Sequence, residues 1–248
     1  MSLPAPGGEP RLLGRLAVVT GGGRGLGRAI VRALAREGAD VAFSYRESRK
    51  GALEEEKEVR RMGRRTFTGP ADARVPGEMA AFVDEAAERL GGLDVLVNNV
   101  GVFRRTPLDE MSEEALDEAF DVNVKAAVMS SRSAVPHMRQ RGGGAIVNVA
   151  SLGASRPWPS HLAYCASKAA LVMATRCLAV ALAPQIRVNA VAPGVLDPPG
   201  AEDGVRRRIP AGRYGTHAEA VEAVLFLAAG ARYTTGEVLG VDGGRALV

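Results

Sequence analysis

The sequence is poor in cysteine, histidine and aromatic residues, and each scarcity argues against a class of function. Cys165 and Cys177 are the only cysteines in 248 residues, and their spacing matches no metal or redox motif. We therefore expect two inert thiols and a reducing, cytoplasmic compartment. The three histidines, His137, His161 and His217, are not spaced as metal ligands, so we expect no metal site.

Lysine is also scarce, so the net charge of +4 comes from scattered arginines. Because no basic block with interleaved aromatic residues occurs, we expect no nucleic-acid partner. No apolar run approaches the roughly 20 residues that span a bilayer, so no membrane partner is expected. Residues 1–10 lack the pattern of a signal peptide and are expected to form a flexible tail, followed by one domain over 11–248.

Short apolar runs alternate with segments of helical period along the chain. Strands are predicted at 16–20, 40–45, 65–72, 93–99, 144–151, 186–194 and 238–244. Helices are predicted at 28–38, 51–62, 76–90, 112–139, 162–183 and 217–228. This alternation predicts an α/β fold, a single Rossmann-type, doubly wound domain whose seven-stranded, mainly parallel sheet has helices on both faces. The segment 195–215 is rich in proline and glycine and is predicted to be a loop or substrate lid.

The segment TGGGRGLG at 20–27 joins the first predicted strand to the first predicted helix. Glycines at such a turn let a dinucleotide pyrophosphate approach the backbone, and the helix N-terminus supplies N–H donors. Gly21 permits the tight turn, while Gly25 and Gly27, on either side of Leu26, permit the close approach. The alternative is a purely structural turn.

The segment SLGASRPWPSHLAYCASK contains Ser151, Tyr164 and Lys168. Tyr164 and Lys168 are four residues apart, so they share one face of the predicted helix 162–183. Each motif alone is weak, because a lone Y-x-x-x-K is usually an exposed helix pair and a lone serine after a strand is usually a cap.

Taken together and in this order, the T-G-x-x-x-G-x-G turn, NNVG at 98–101 and these residues resemble the short-chain dehydrogenase/reductase family over about residues 14–245. The resemblance implies a catalytic tetrad of Asn123, Ser151, Tyr164 and Lys168, and a homotetramer whose two longest helices share an interface. It also implies cofactor contacts at Asp72, Asn99, Gly101, Tyr164, Lys168, Pro193 and Gly194. The family often has threonine where this chain has Pro198, so one cofactor hydrogen bond is in doubt.

The second predicted strand ends with Ser44, Tyr45 and Arg46, where an enzyme that prefers NAD usually has an acidic residue. Arginine suits a phosphate because its planar fork makes paired, charge-assisted bonds. With Arg24 in the glycine turn, these residues favour NADP(H) over NAD(H). The alternative for Arg46 is a solvated surface side chain.

In the implied reaction, hydride passes from the nicotinamide to a carbonyl carbon and Tyr164 protonates the oxygen. A free tyrosine has a pKa of about 10, and we expect the Lys168 ammonium to lower it. Ser151 would polarise the substrate oxygen, and Asn123 would anchor a water that relays protons to Lys168.

The sequence says least about the substrate. Phe103, Trp158 and His161 are expected to bound the pocket, where the aromatic rings either stack on a flat substrate or simply pack. The run Arg206 to Arg208 in the predicted lid would meet an anionic substrate or an acidic acyl carrier protein, or it is a solvated face.

Two subfamilies share local similarity with the chain. RIPAGRYGT at 208–216 resembles 3-oxoacyl-[acyl-carrier-protein] reductases, whereas RPWPSHLAYCASKAAL at 156–171 resembles bacterial pteridine reductases. Pteridine reductases usually have aspartate where this chain has Ser151, and serine suits a carbonyl oxygen, so we favour ketone reduction. A non-catalytic NADP(H)-binding regulatory protein is the alternative of another class, and the intact tetrad argues against it.

Overall fold

Seven parallel strands form one sheet at the centre of the protein. The computed structural model describes residues 10–196 and 203–248, so almost all of the predicted tail lies outside the described residues. The strands are β1 (Leu16–Val19), β2 (Asp40–Tyr45), β3 (Thr66–Pro70), β4 (Val95–Asn98), β5 (Gly144–Val149), β6 (Ile186–Pro193) and β7 (Val238–Val241). Their order is β3-β2-β1-β4-β5-β6-β7, which confirms the predicted doubly wound fold.

Helices cover both faces of this sheet, as its fully apolar strands require. The helices are α1 (Gly25–Arg36), α2 (Arg49–Arg61), α3 (Glu78–Leu90), α4 (Glu113–Phe120), α5 (Ala126–Gln140), α6 (Leu162–Leu182), α7 (Asp203–Arg206) and α8 (His217–Leu225). In β1, Ala17 and Val19 pack toward the α1 and α8 side, whereas Val18 packs toward the α3, α5 and α6 side. Because successive side chains of a strand point to opposite faces, the sheet separates two hydrophobic cores, one on each face.

The predicted helix at 112–139 is two α-helices joined by one wider π-helical turn at Asp121–Lys125. Its start is fixed by the Ser112 side chain, which accepts a hydrogen bond from the Ala115 N–H. The π-turn holds the candidate catalytic residue Asn123, and such turns are frequent at functional sites.

The strand order reverses between β1 and β4, and a crevice opens there at the carboxyl ends of the strands. A buried side-chain network supports this edge. Asn98 donates to Asn148 Oδ1 at 2.8 Å, and Asn148 donates to Thr175 Oγ1 at 2.9 Å. These bonds tie β4, β5 and α6 together below the crevice.

Helix α6 has the length and the mean hydropathy, 1.5, that a membrane span needs, and 28% of its apolar stretch is buried. This differs from the expectation of no such apolar run. The helix nevertheless contains the buried, chargeable Lys168 and packs on β6 and on the π-helical turn at Asp121–Lys125. Length and composition are weak grounds for a span in such a helix.

Part of the predicted lid at 195–215 can be compared with the structure. Residues 203–206 form the short helix α7, and Leu196 bridges to Gly215. Pro198, at which we expected a missing cofactor bond, lies outside the described residues.

Candidate active site

A cleft of about 630 Å³ lies at the reversal of strand order. It brings together ten of the predicted cofactor residues and one predicted pocket residue: Gly21, Arg24, Gly25, Leu26, Gly27, Tyr45, Arg46, Asp72, Asn99, Gly101 and Phe103. These residues come from the ends of β1 to β4, which are far apart in sequence. The carboxyl ends of the parallel strands therefore assemble one continuous binding surface.

The glycine turn needs its glycines for two different reasons. Gly21 has a φ of 71°, a left-handed conformation that side chains rarely adopt. A Cβ atom at Gly27 would lie 2.1 Å from the Gly21 carbonyl oxygen, so only glycine lets helix α1 pack so closely on the turn. A Cβ at Gly25 would meet no atom within 4 Å, because Gly25 begins α1 and faces the open cleft.

Ser44 corrects one of our predictions. Its side chain is 0% exposed, and its Oγ accepts a hydrogen bond from the Gly21 N–H at 2.9 Å. A hydroxyl buried in this way holds the glycine turn in place and has no surface to offer a cofactor phosphate. Of the three residues predicted to contact the cofactor here, Tyr45 and Arg46 line the cleft.

Charged residues surround the end of the cleft near β2 and β3. Arg24 is exposed and, among the residues that the structure describes, forms no ion pair. Arg46 pairs with Glu47 at 2.8 Å. Asp72 pairs with Arg74, whose guanidinium lowers the pKa of the Asp72 carboxyl, so this carboxylate is already neutralised from outside the cleft. Arg24 is therefore the cation most available to an anion.

Asn99 joins the end of β4 to the glycine turn. Its side-chain amide donates to the carbonyl oxygens of Thr20 at 3.0 Å and Gly21 at 3.1 Å. Its own N–H donates to Thr20 Oγ1. The residue thus shapes the turn and also lines the cleft.

The predicted catalytic residues lie on β5 and α6. Ser151 lies two residues after the end of β5 and is buried, and its Oγ accepts a hydrogen bond from the Gly153 N–H at 3.1 Å. Lys168 on α6 is also buried, and its Nζ donates to the Val149 carbonyl oxygen at 2.7 Å. Burial lowers the pKa of Lys168 to about 8. A Cβ at Gly101 would lie 3.2 Å from that Nζ, so the ammonium reaches the floor of the cleft.

The pKa of Tyr164 is raised, whereas we predicted that it is lowered. Burial is the largest cause, because it penalises the phenolate, and the Ser151 hydroxyl acts in the opposite direction with less effect. The Lys168 ammonium that we expected to stabilise the phenolate is instead directed to the Val149 carbonyl. Tyr164 is therefore a protonated phenol at neutral pH, which suits a proton donor.

Asn123 in the π-turn binds the loop that follows β4. Its Oδ1 accepts from the Val102 N–H at 2.8 Å, and its Nδ2 donates to the Val102 carbonyl oxygen and to Ser167 Oγ. A Cβ at Gly101 would lie 3.1 Å from Asn123 Oδ1, which places the amide beside the Lys168 ammonium. The amide is thus largely engaged by the protein itself, and we treat the water relay as a hypothesis.

Four aromatic rings cluster beside Ser151. Phe103 stacks on His161 at 4.7 Å between centroids and meets the Tyr164 ring edge-on at 4.7 Å. Trp158 lies parallel to Tyr164 at 6.1 Å. The structure therefore brings together all three predicted pocket residues around the candidate proton donor. Phe103 is 60% exposed, so a substrate would contact it first.

Pro193 and Gly194, which end β6, lie at the same edge of the sheet. The Gly194 N–H donates to the Val241 carbonyl oxygen at 2.9 Å, and a Cβ at Gly194 would lie 2.9 Å from Asp242 Cα. This close contact fixes the backbone at the position that the resemblance assigns to the nicotinamide.

Several residues of the cleft were missed at the sequence level. Glu47, Ser48 and Glu118 line it, and Arg74 neutralises Asp72. Arg104 pairs with Glu118 across the loop after β4. For Glu47, Ser48 and Arg74 the only sequence signal was nearness to a predicted strand end, and Glu118, inside a predicted helix, had none. Within residues 10–196 and 203–248, no group of three or more metal-ligating side chains occurs.

The doubly wound fold and its cleft at the reversal of strand order are typical of a dinucleotide-dependent oxidoreductase. Comparison of the sequence and the structure with known proteins leads to the same class. A family model described as Enoyl-(Acyl carrier protein) reductase matches residues 21–246. The chain therefore belongs to the short-chain dehydrogenase/reductase family of oxidoreductases, which confirms the predicted family and enzyme class.

Three relatives show the extent of this similarity. A 3-oxoacyl-[acyl-carrier-protein] reductase from Staphylococcus aureus is 36% identical over 237 residues, covering 92% of this chain and 96% of that protein. A 3beta-hydroxysteroid dehydrogenase 1 from Eggerthella lenta is 36% identical over 248 residues, covering 95% of each. A short chain dehydrogenase from Burkholderia cenocepacia, solved in complex with NADP, has a TM-score of 0.91 at 38% identity, covering 96% of this chain and 100% of that one.

Proposed function

We propose that this protein is an NADP(H)-dependent reductase that converts a ketone to an alcohol. The observation that carries the proposal is the grouping of buried Ser151, half-buried Tyr164 and buried Lys168 beside the cleft, which Gly101 and Phe103 line. A Cβ at Gly101 would lie 3.2 Å from Lys168 Nζ, and the Phe103 ring packs on Tyr164. A non-catalytic nucleotide-binding protein would have no need to bury an ammonium group, which burial penalises strongly enough to bring its pKa to about 8.

The cleft fits NADP(H). Gly25 leaves open space at the start of α1 for a pyrophosphate, and the first N–H groups of the helix can receive it. Arg24 and Arg46 meet the 2′-phosphate at the other end, and no carboxylate follows β2 directly to bind a free 2′-hydroxyl. The solved relative with bound NADP supports the same cofactor here.

In the proposed reaction the reduced nicotinamide supplies the hydride. Ser151 donates a hydrogen bond to the substrate carbonyl oxygen and polarises it. Tyr164, kept protonated by burial, gives the proton to that oxygen. Lys168, one helical turn from Tyr164, would hold the ribose of the cofactor, and its Nζ is positioned by the Val149 carbonyl oxygen.

The substrate that we favour is a 3-oxoacyl thioester or a related ketone, because serine at position 151 suits a carbonyl oxygen. The test follows NADPH oxidation by the purified protein with an acetoacetyl thioester and, in the same assay, with a dihydropterin. Preference for the thioester supports ketone reduction. Preference for the pterin would contradict it and make the protein a pteridine reductase.

The pteridine alternative has one observation in its favour. The rings of Trp158 and Tyr164 lie parallel, with an interplanar angle of 5°, beside the exposed Phe103. Flat aromatic surfaces of this kind can stack on a pterin ring. Ser151 argues against it, because a neutral hydroxyl is a poor proton source for a ring nitrogen.

We also propose that the protein acts as a cytoplasmic homotetramer. The outer side of α6 exposes Leu162, Met173 and Val180, the last with 82% of its surface exposed. An apolar helix face of this kind is a typical subunit interface. Light scattering should give four times the 25.9 kDa mass of the chain, and a monomeric mass would refute the assembly.

A further inference from the structure

Three arginines from distant parts of the sequence come together beside the aromatic rings of the active site. Arg156 lies between β5 and α6, Arg208 follows α7, and Arg245 follows β7. Arg156 Nη1 donates to the main-chain oxygen of Arg245 at 2.9 Å. We call Arg156, Arg208 and Arg245 the arginine cluster.

Close backbone packing brings Arg208 to the other two. The Ala211 N–H donates to the Gly243 carbonyl oxygen at 3.0 Å. A Cβ at Gly243 would lie 2.8 Å from Ile209 Cγ2, so the segment that carries Arg208 lies directly on the segment that carries Arg245. Burial and then the positive charges of Arg156 and Arg208 lower the pKa of Arg245, as expected where like charges converge.

No side-chain carboxylate compensates this charge within the described residues, because none forms an ion pair with a guanidinium of the cluster. Both carboxylate oxygens of the nearby Asp242 accept hydrogen bonds from the main chain, from the N–H groups of Gly244 at 2.9 Å and Ala246 at 2.8 Å. The Arg245 guanidinium is the exception, because its Nη1 donates to a terminal carboxylate oxygen of Val248, the last residue, at 3.0 Å. Arg156 and Arg208 thus lie near Arg245 with no carboxylate partner among the described residues, an arrangement that favours an external anion.

The cluster lies at the same edge of the sheet as the catalytic residues. Arg156 is two residues before Trp158, and its carbonyl oxygen lies 3.9 Å from the sulfur of Cys165, the neighbour of Tyr164 on α6. The Arg245 segment begins at Asp242, whose Cα would lie 2.9 Å from a Cβ at Gly194. The main chain that carries the cluster therefore adjoins the segments of Trp158, Tyr164 and Gly194.

We propose that the arginine cluster binds an anionic group of the substrate, a carboxylate or a phosphate, while the carbonyl lies at Ser151 and Tyr164. This inference rests on the proposed ketone reduction and narrows its substrate to an anionic ketone. A free oxo acid would bring a carboxylate, and a thioester of coenzyme A would bring phosphates.

Trp158 is the only tryptophan of the chain, so its fluorescence reports binding at this place without turnover. The titrations use 4-oxopentanoate and 6-oxoheptanoate, their methyl esters, and acetoacetyl-coenzyme A. Wild-type protein is compared with Arg208→Gln and Arg156→Gln, and Arg139→Gln, an exposed arginine near the end of α5, is the matched control.

We expect at least one anion to bind more tightly than its uncharged counterpart and its Kd to rise about tenfold in Arg208→Gln, the loss of one charge-assisted bond. Arg139→Gln should leave that Kd unchanged. A response to the oxo acids identifies a carboxylate site, and a response to the thioester alone identifies a phosphate site. Esters that bind as tightly as their acids, with no change for any probe in Arg208→Gln or Arg156→Gln, would overturn the inference. NADPH oxidation measured separately shows whether the proposed function itself fails.

Discussion

Arg24 is the residue whose replacement should change the choice between NADPH and NADH most. It is exposed at the glycine turn, it forms no ion pair among the described residues, and it lines the cofactor cleft. A hydrogen bond to a charged group contributes about 1.5–3 kcal/mol. Because Arg24 is exposed, we take the lower limit, which corresponds to about a tenfold rise in Kd for NADPH in Arg24→Gln.

Arg46 provides an internal comparison, because Glu47 already pairs with it at 2.8 Å. Part of its charge is neutralised, so Arg46→Gln should weaken NADPH binding less than Arg24→Gln does. Glu47→Gln should strengthen NADPH binding by up to about fivefold, since an exposed ion pair is worth at most about 1 kcal/mol. None of the three changes should alter the Kd for NADH by more than about twofold.

The assay is equilibrium titration of each variant with NADPH and with NADH, followed by fluorescence of the reduced nicotinamide. Low ionic strength is needed because salt screens exposed charges. If Arg24→Gln weakened the binding of both cofactors equally, Arg24 would not contact the 2′-phosphate. The assignment of NADP(H) from the turn would then lose its physical basis.

Two further predictions concern packing and buried charge. Gly27→Ala should destabilise the protein by about 1–3 kcal/mol and abolish NADPH binding, because the new Cβ would lie 2.1 Å from the Gly21 oxygen. Gly25→Ala, which meets no atom but has a φ of 53°, should cost only about 1 kcal/mol; urea unfolding compares the two, and equal losses would contradict the argument. Lys168→Met should raise the free energy of unfolding at pH 7. Burial holds the pKa of Lys168 at about 8 in the folded state, below its unfolded value of 10.5. Below pH 8 the folded state therefore carries the full cost of the buried charge. That cost of about 3 kcal/mol disappears as the pH rises from 8 to 10.5, so an advantage of the variant that grew over this range would refute the assignment.

The order of strands and helices was predictable, because alternating apolar runs and helical periods leave few other folds. The strands β1 and β4 are fully buried, and their sequences LAVV and VLVN leave little doubt about the type of element. The candidate catalytic and cofactor residues were predicted for a different reason, namely their resemblance to the motifs of the short-chain dehydrogenase/reductase family. Spacing alone indicates only that Tyr164 and Lys168 share one face of α6 and that the glycine turn joins a strand to a helix.

What the sequence did not reveal depends on three-dimensional packing. The burial of Ser44 against the glycine turn arises because β2 lies beside β1, and no local pattern marks it. The raised pKa of Tyr164 arises from burial, and one ring that packs on the phenol, Phe103, comes from a distant part of the sequence. The arginine cluster likewise needs the contact between the segments that follow α7 and β7.

The most direct test of the account compares NADPH oxidation by wild-type protein and by Tyr164→Phe with an acetoacetyl thioester. The variant keeps the aromatic ring and its packing and loses only the hydroxyl. We predict that turnover falls by at least about a hundredfold, the scale of general acid catalysis, while the Kd for NADPH stays within twofold. Turnover that survives in Tyr164→Phe would show that another group protonates the substrate, and the mechanism proposed for this site would be wrong.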